Sequence, residues 1–96
     1  MEQFEKLELQ LKWFQGYLSA DPVINYYEKG SVKTTFAIPL KDGEDTVWIN
    51  CHAWSKNAED IAENYKKGNL ITIGGLFKER EYNGKKYLDF EVLIYK

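Results

Sequence analysis

Apolar and polar residues alternate one by one over most of this chain. Leu7, Leu9, Leu11 and Trp13 are interleaved with Glu8, Gln10 and Lys12, the period of a half-buried strand and not of a helix. This first strand is expected to run to about Leu18. Asp21-Pro22 then turns the chain, because a residue before proline is pushed out of helical conformation, and Glu28-Lys29-Gly30-Ser31 reads as the next loop. Val32, Thr34, Phe36, Ile38 and Leu40 give a second alternating run. The segment Lys41 to Asp45 contains Asp42-Gly43, a strong hairpin signal, and leads into a third strand, Val47 to Trp54.

After Trp54 the period changes. Ala58, Ile61, Ala62 and Tyr65 are spaced as one face of a short amphipathic helix, with Ser55 as its N-cap, Glu59 and Asp60 early, Lys66 and Lys67 in its last turn and Gly68 as its stop. Leu70 to Glu81 reads as a fourth strand, Asn83-Gly84 as a tight turn and Tyr87 to Tyr95 as a fifth strand. Three strands, a helix and two more strands form the order of an all-β fold with one helix. It is the order of a five-stranded oligonucleotide/oligosaccharide-binding (OB) barrel, which is the fold expected, with the helix between strands 3 and 4. An SH3-like barrel has a similar strand count but no three-turn helix at this point.

Composition adds limits. At 96 residues, with 44% hydrophobic and 16% aromatic content, the chain 1–96 reads as a single domain with a small core of its own. The lone Cys51 forms no internal disulfide, and the charged start Met1 to Lys6 is no signal peptide, so a cytoplasmic protein is expected. No apolar run approaches the roughly 18 residues needed to cross a bilayer. A formal net charge of −2 argues against a polyanionic partner, since nucleic-acid binders usually carry a basic footprint. Total charge does not say which face carries it.

Strand phase addresses that question. In the third strand Val47, Ile49, Cys51 and Ala53 make one apolar face, so Trp48, Asn50, His52 and Trp54 make the other. Two tryptophans directed away from a core suit base stacking, although either ring could instead bury in a subunit interface. In the fourth strand Ile71, Ile73 and Phe77 claim the core. Thr72, Lys78, Arg80 and Tyr82 then face out, and Glu79 and Glu81 lie on the opposite side. One surface is thus expected to combine aromatic planes for bases with cations for phosphates, free of the acids. Taken alone, the alternating charges of Lys78 to Glu81 also fit an ordinary solvated edge.

Other chemistry finds little support. Cys51 and His52 are neighbours in a strand and point to opposite faces, which argues against a nucleophilic pair or shared metal ligation. Gly74-Gly75 lacks the strand-loop-helix setting of a phosphate loop and reads as a bend or bulge. No carboxylate pair stands out for acid/base work. The chain is therefore expected to be no enzyme, with no cofactor and no metal.

At these residues the chain resembles the bacterial single-stranded DNA-binding protein family. "GYLSADP" (Gly16 to Pro22) is similar to the family's G-N-L-x-x-D-P. "WINCHAWSKNAEDIAENYKKGNLITIGGLFKEREY" (Trp48 to Tyr82) is similar to its block of spaced aromatics, a helix ending in Y-L-K-K-G and a strand ending in G-x-L-x-x-R-x-Y/W. The resemblance implies an OB-fold that coats single-stranded DNA without sequence preference, in replication, recombination and repair, as a homo-oligomer (dimer or tetramer). Trp48, Trp54 and Tyr82 fall at its base-stacking positions, and Lys56, Lys67, Lys78 and Arg80 at matching basic ones, with Lys66 beside them. Binding to RNA stays open.

The chain departs from the family pattern at several points. The loop Lys41 to Asp45 is short, which implies a smaller footprint. Gln15 replaces an aliphatic residue, Ser55 a common glycine and Leu76 a polar or basic residue, and Tyr87 to Val92 is offset by about one residue. The sequence ends at Lys96 without the linker and acidic tip through which cellular members recruit replication proteins, so such recruitment is not expected. Two other readings remain: an accessory OB dimer similar to the primosomal replication protein, and an assembly protein of this fold that has lost nucleic-acid binding.

Overall fold

The computed structural model describes residues 11–96. The strands are β1 (Lys12–Tyr17), β2 (Val23–Tyr26), β3 (Val32–Asp42), β4 (Asp45–Trp54), β5 (Leu70–Tyr82) and β6 (Lys85–Tyr95), and the helix α1 (Ser55–Asn64) lies between β4 and β5. All strands join one sheet in the order β1-β5-β6-β4-β3-β2. Every pairing is antiparallel except β4 with β6, a parallel ladder of two pairs, Cys51 with Phe90 and His52 with Glu91.

The expected five-stranded barrel is therefore corrected. Val23–Tyr26 is a sixth strand, pairing with β3 from Val23 opposite Thr35 to Tyr26 opposite Val32. Its four residues after a proline are too few to show alternation, and its position depends on β3 rather than on its own pattern. The helix stands on the expected stretch of chain, but between β4 and β5 and not between the third and fourth strands. Nor is the barrel closed: among the described residues no ladder joins β1 to β2 or β3, and one backbone bond, from the Ser19 N–H to the Ala37 carbonyl at 3.1 Å, bridges the segments there. The expected start of the first strand at Leu7 lies outside the described residues.

The core lies between the inner face of the sheet and α1. Leu18, Phe36, Ile38, Ile49, Cys51, Ala53, Ile61, Ile71, Ile73, Phe90 and Val92 form it, and α1 contributes Ala58 and Ile61 as its fully buried face. Phase runs unbroken along β4, with Ile49, Cys51 and Ala53 buried, but burial does not extend to Val47, which is 44% exposed near the β3–β4 turn. Phe77 is 38% exposed, yet it faces inward and packs edge-on against Phe14 and Phe90, with ring centroids 5.7 and 5.1 Å away. The period through Leu11 and Trp13 also breaks: Phe14, opposite Ile73, turns inward, and Trp13, opposite Gly74, turns outward.

Local chemistry explains the ends. The β3–β4 hairpin has a two-residue loop whose first residue, Gly43, has a φ of 66°, as a II′ turn requires. Asn83 and Gly84 both take positive φ, the I′ pattern. Ser55 is not the N-cap. It is the first residue of α1, at a left-handed φ of 59°, and no side chain caps the helix. The helix also stops earlier than expected, at Asn64, leaving Lys66 and Lys67 in the connecting turn. There Gly68, at a φ of 86°, donates its N–H to the Leu18 carbonyl at 2.9 Å.

The β5–β6 ladder shifts register between Gly74 and Gly75, with Gly74 opposite Ile94 and Gly75 opposite Val92. Leu93 is thereby left unpaired. Gly75 is needed here, because a Cβ would run into the Glu91 carbonyl oxygen. At Gly74 the missing side chain leaves room for the Trp13 indole and Ile94.

Candidate nucleic-acid interface

The outer face of the sheet carries most of the residues singled out from strand phase. Along β4, Trp48 and Trp54 are 55% and 41% exposed, with Asn50 and His52 between them. Their partners across β3 are Pro39, Ala37, Thr35 and Lys33, in that order from Trp48 to Trp54. Lys33 holds its Nζ 5.3 Å from the centroid of the Trp54 ring, and the His52 ring meets Trp54 edge-on at 6.2 Å. On the other side, β6 lies between β4 and β5, so Lys78 and Arg80 reach this face across β6. Tyr82, at the end of β5, is 62% exposed.

That intervening strand overturns the expectation of an acid-free face. Glu79 and Glu81 do lie on the opposite side, but β6 brings Asp89 and Glu91 into the middle of the surface. Arg80 Nε donates to Asp89 Oδ2 at 2.7 Å, and its guanidinium carbon sits 4.7 Å from the centroid of Tyr87. Glu91 lies 3.6 Å from both Lys78 Nζ and His52 Nε2. Two of the four cations expected to meet phosphates are thus already paired. The carboxylates are largely covered but both cations are exposed, so the pairs are screened by solvent and the cations stay within reach of another anion.

A groove of about 380 Å³ opens between the two sides, reached by Lys33, Thr35, Asn50, His52, Arg80 and Asp89. Its lining mixes apolar side chains, Val23, Phe36 and Ala37 among them, with charged groups of both signs. Burial lowers the pKa of His52, and Lys33 lowers it further, while Glu91 and Asp89 oppose the shift. The imidazole is therefore neutral at pH 7, able to hydrogen-bond but adding no charge. Behind it Cys51 is buried, its thiol pushed up to about 12 by desolvation and directed at the Ile49 carbonyl oxygen 3.5 Å away. A protonated, buried thiol offers neither a nucleophile nor a metal ligand.

Lys56 and Lys67 sit elsewhere. Lys56 is exposed in the first turn of α1, two residues beyond Trp54. Lys67 lies in the turn after α1, where its backbone N–H donates to Asp21 Oδ1 at 2.8 Å. Among the described residues neither forms an ion pair. Strand phase missed Lys33, because a lysine at the start of a strand carries no signal until its partner across the ladder is known. It also missed Tyr27, which follows β2 and approaches Trp54 with ring centroids 6.2 Å apart.

The described residues contain no helix long and apolar enough to cross a membrane. Comparison with known proteins agrees with the geometry. A solved structure of a deletion mutant of the single-stranded DNA binding protein from Thermus aquaticus superposes with a TM-score of 0.78, covering 90% of this chain and 39% of that one. At 21% identity the likeness is one of fold, which makes the open sheet a variant of the OB-fold. The single-stranded DNA-binding protein of Bacillus cereus is 34% identical over 77 residues, 73% of this chain, and that of Thermosynechococcus vestitus is 39% identical over 67 residues, 66% of this chain. This chain spans about half the length of these relatives, 45% and 55%. Residues 13–93 match the single-strand binding protein family, and with matches of this extent in both sequence and fold the chain belongs to that family.

Proposed function

We propose that this chain binds single-stranded DNA without sequence preference, through the outer face of the sheet. The observation that carries this reading is the exposure of Trp48 and Trp54 on one face of β4, six residues apart, in a member of this family. Bases stack on Trp48, Trp54 and Tyr82, each contributing about 1–3 kcal/mol. Phosphates follow Lys78 and Arg80, with Lys56 and Lys67 extending the path. The mixed charge of the groove means that phosphates displace Glu91 and Asp89 from their partners, so the net charge of −2 is no obstacle. The role is one of binding, in replication, recombination and repair in the cytoplasm.

Self-association belongs to the same reading. The edge of β1 away from β5 is unpaired among the described residues, and on that strand Trp13 and Tyr17 are 46% and 60% exposed. Such an edge with apolar neighbours suits another copy of the chain, as a dimer or tetramer. Sizing in solution tests it.

Titrating tryptophan fluorescence with oligo-dT at two salt concentrations tests the binding itself. Quenching at low salt, weakened by added salt and reduced in Trp54→Ala and Arg80→Ala, is the expected result. No quenching at low salt rejects the stacking surface and leaves the exposed rings to a protein interface.

A further inference from the structure

Tyr27 and Trp54 face each other across a cleft of about 470 Å³, lined also by Glu28, Lys29 and Ser31. The ring centroids are 6.2 Å apart and the planes are inclined at 36°. This is neither a parallel stack nor an edge-to-face contact. Two van der Waals spacings, the separation needed to hold a third flat ring between them, amount to about 7 Å. The present separation is that of a direct aromatic contact, so the two rings must move apart by about 1 Å and rotate towards parallel to accept one aromatic plane.

Both walls are held in place by the backbone. Tyr27 opens a tight turn in which its N–H donates to the Ser31 carbonyl and its own carbonyl accepts from Gly30, each at 2.9 Å, with Gly30 at a φ of 85°. Trp54 ends β4, opposite Lys33 in the ladder. Lys33 near the Trp54 ring and Lys29 at the mouth supply positive charge, partly offset by Glu28. The rings are 47% and 41% exposed, so entry needs no unfolding.

From this geometry we infer that Tyr27 and Trp54 form a clamp that takes a single unpaired nucleobase between their rings, at one end of the row that begins at Trp48. The inference rests on the proposed binding of single strands and makes Tyr27 a stacking residue in its own right. A base held on both faces gains from each ring, and losing either wall removes most of the benefit of the other.

A double-mutant cycle tests it, reading the affinity of a labelled oligo-dT of about 16 nucleotides by anisotropy. Tyr27→Leu and Trp54→Leu are each expected to weaken binding at least about 5-fold, and Tyr27→Phe by less than about twofold. The double variant should be weaker than either single one by much less than the product of the two effects. A fluorescent base analogue in the oligonucleotide should be quenched by the unaltered chain and less so by Tyr27→Leu, whose melting curve controls for folding. Tight binding by the unaltered chain with equal affinity for Tyr27→Leu, or strictly multiplicative effects, overturns the clamp alone. No binding by the unaltered chain overturns the reading beneath it as well.

Discussion

Asp89→Asn is expected to tighten binding of single-stranded DNA even though it breaks the shortest ion pair on the face. Asp89 Oδ2 lies 2.7 Å from Arg80 Nε. A phosphate seated on the outer edge of the guanidinium therefore comes within about 6 Å of the carboxylate, two hydrogen-bond lengths away. Coulomb's law puts the repulsion between Asp89 and that phosphate at about 0.7 kcal/mol in water and about 2.8 kcal/mol at an effective dielectric of about 20. Screening with a Debye length of about 8 Å roughly halves both values, leaving about 0.3–1.3 kcal/mol, or about 2- to 9-fold in affinity. The amide removes this repulsion while keeping the size of the side chain and an oxygen that accepts from Arg80. The assay is an anisotropy titration of labelled oligo-dT at several salt concentrations. The plot of log affinity against log salt should steepen by up to about 0.7, the increment for one more neutralised phosphate on a single strand. Weaker binding by Asp89→Asn at every salt concentration would refute the reasoning, because the carboxylate would then be positioning Arg80 rather than competing for it. Glu91→Gln, which frees Lys78, should move in the same direction.

Other expectations concern stability and pH. Ser55 adopts a φ of 59°, where a side chain costs about 1–2 kcal/mol; after allowing for the greater chain entropy of glycine, Ser55→Gly should stabilise the domain by about 0.5–1 kcal/mol. A melting temperature raised by about 2–8 °C would be its calorimetric signature. Gly75→Ala drives a Cβ into the Glu91 backbone carbonyl and should cost about 3 kcal/mol, the upper end for overpacking. Gly74→Ala meets only the exposed side chains of Trp13 and Ile94 at 2.9 and 2.8 Å and should shift the denaturant midpoint much less. The pKa of His52 is lowered in the folded chain, first by burial and then by Lys33, so below about pH 6.5 the unfolded chain takes up a proton more readily. Its contribution is therefore fully present above that pH and is lost as the pH falls. His52→Gln should flatten the dependence of stability on pH between about 7 and 5, and an unchanged slope would show that His52 is not its source.

What the sequence disclosed follows the reach of its local patterns. β3, β4, α1 and most of β5 and β6 announce themselves because alternation and helical spacing are properties of neighbouring residues. β2 does not, since Val23–Tyr26 is too short to alternate and owes its conformation to Thr34 and its neighbours, whose Oγ1 even donates to the Val23 carbonyl at 3.1 Å. Trp13 and Phe14 exchange roles because inward space at β1 is decided by Phe77 and Phe90, more than 60 residues away. Strand phase placed Trp48, Trp54, Lys78 and Arg80 on a common outer face, but the partners of the two cations lie on β6. Nothing in the spacing of Asp89 and Glu91 shows that β6 runs between β4 and β5. Lys33 and Tyr27 are hidden for the same reason, as each matters only through its contact with Trp54.

The two-pair ladder between β4 and β6 also divides the molecule. On one side stand β1, β5 and β6, on the other β4, β3 and β2, each a three-stranded antiparallel unit, with His52 and Glu91 at the join. A strand bound as proposed would cross that join, held by Trp48 and Trp54 on one side and by Lys78, Arg80 and Tyr82 on the other. It would act as a splint. Opening the seam would then require releasing the ligand, so the amides at Cys51, His52, Phe90 and Glu91 would gain protection from exchange out of proportion to their distance from any base.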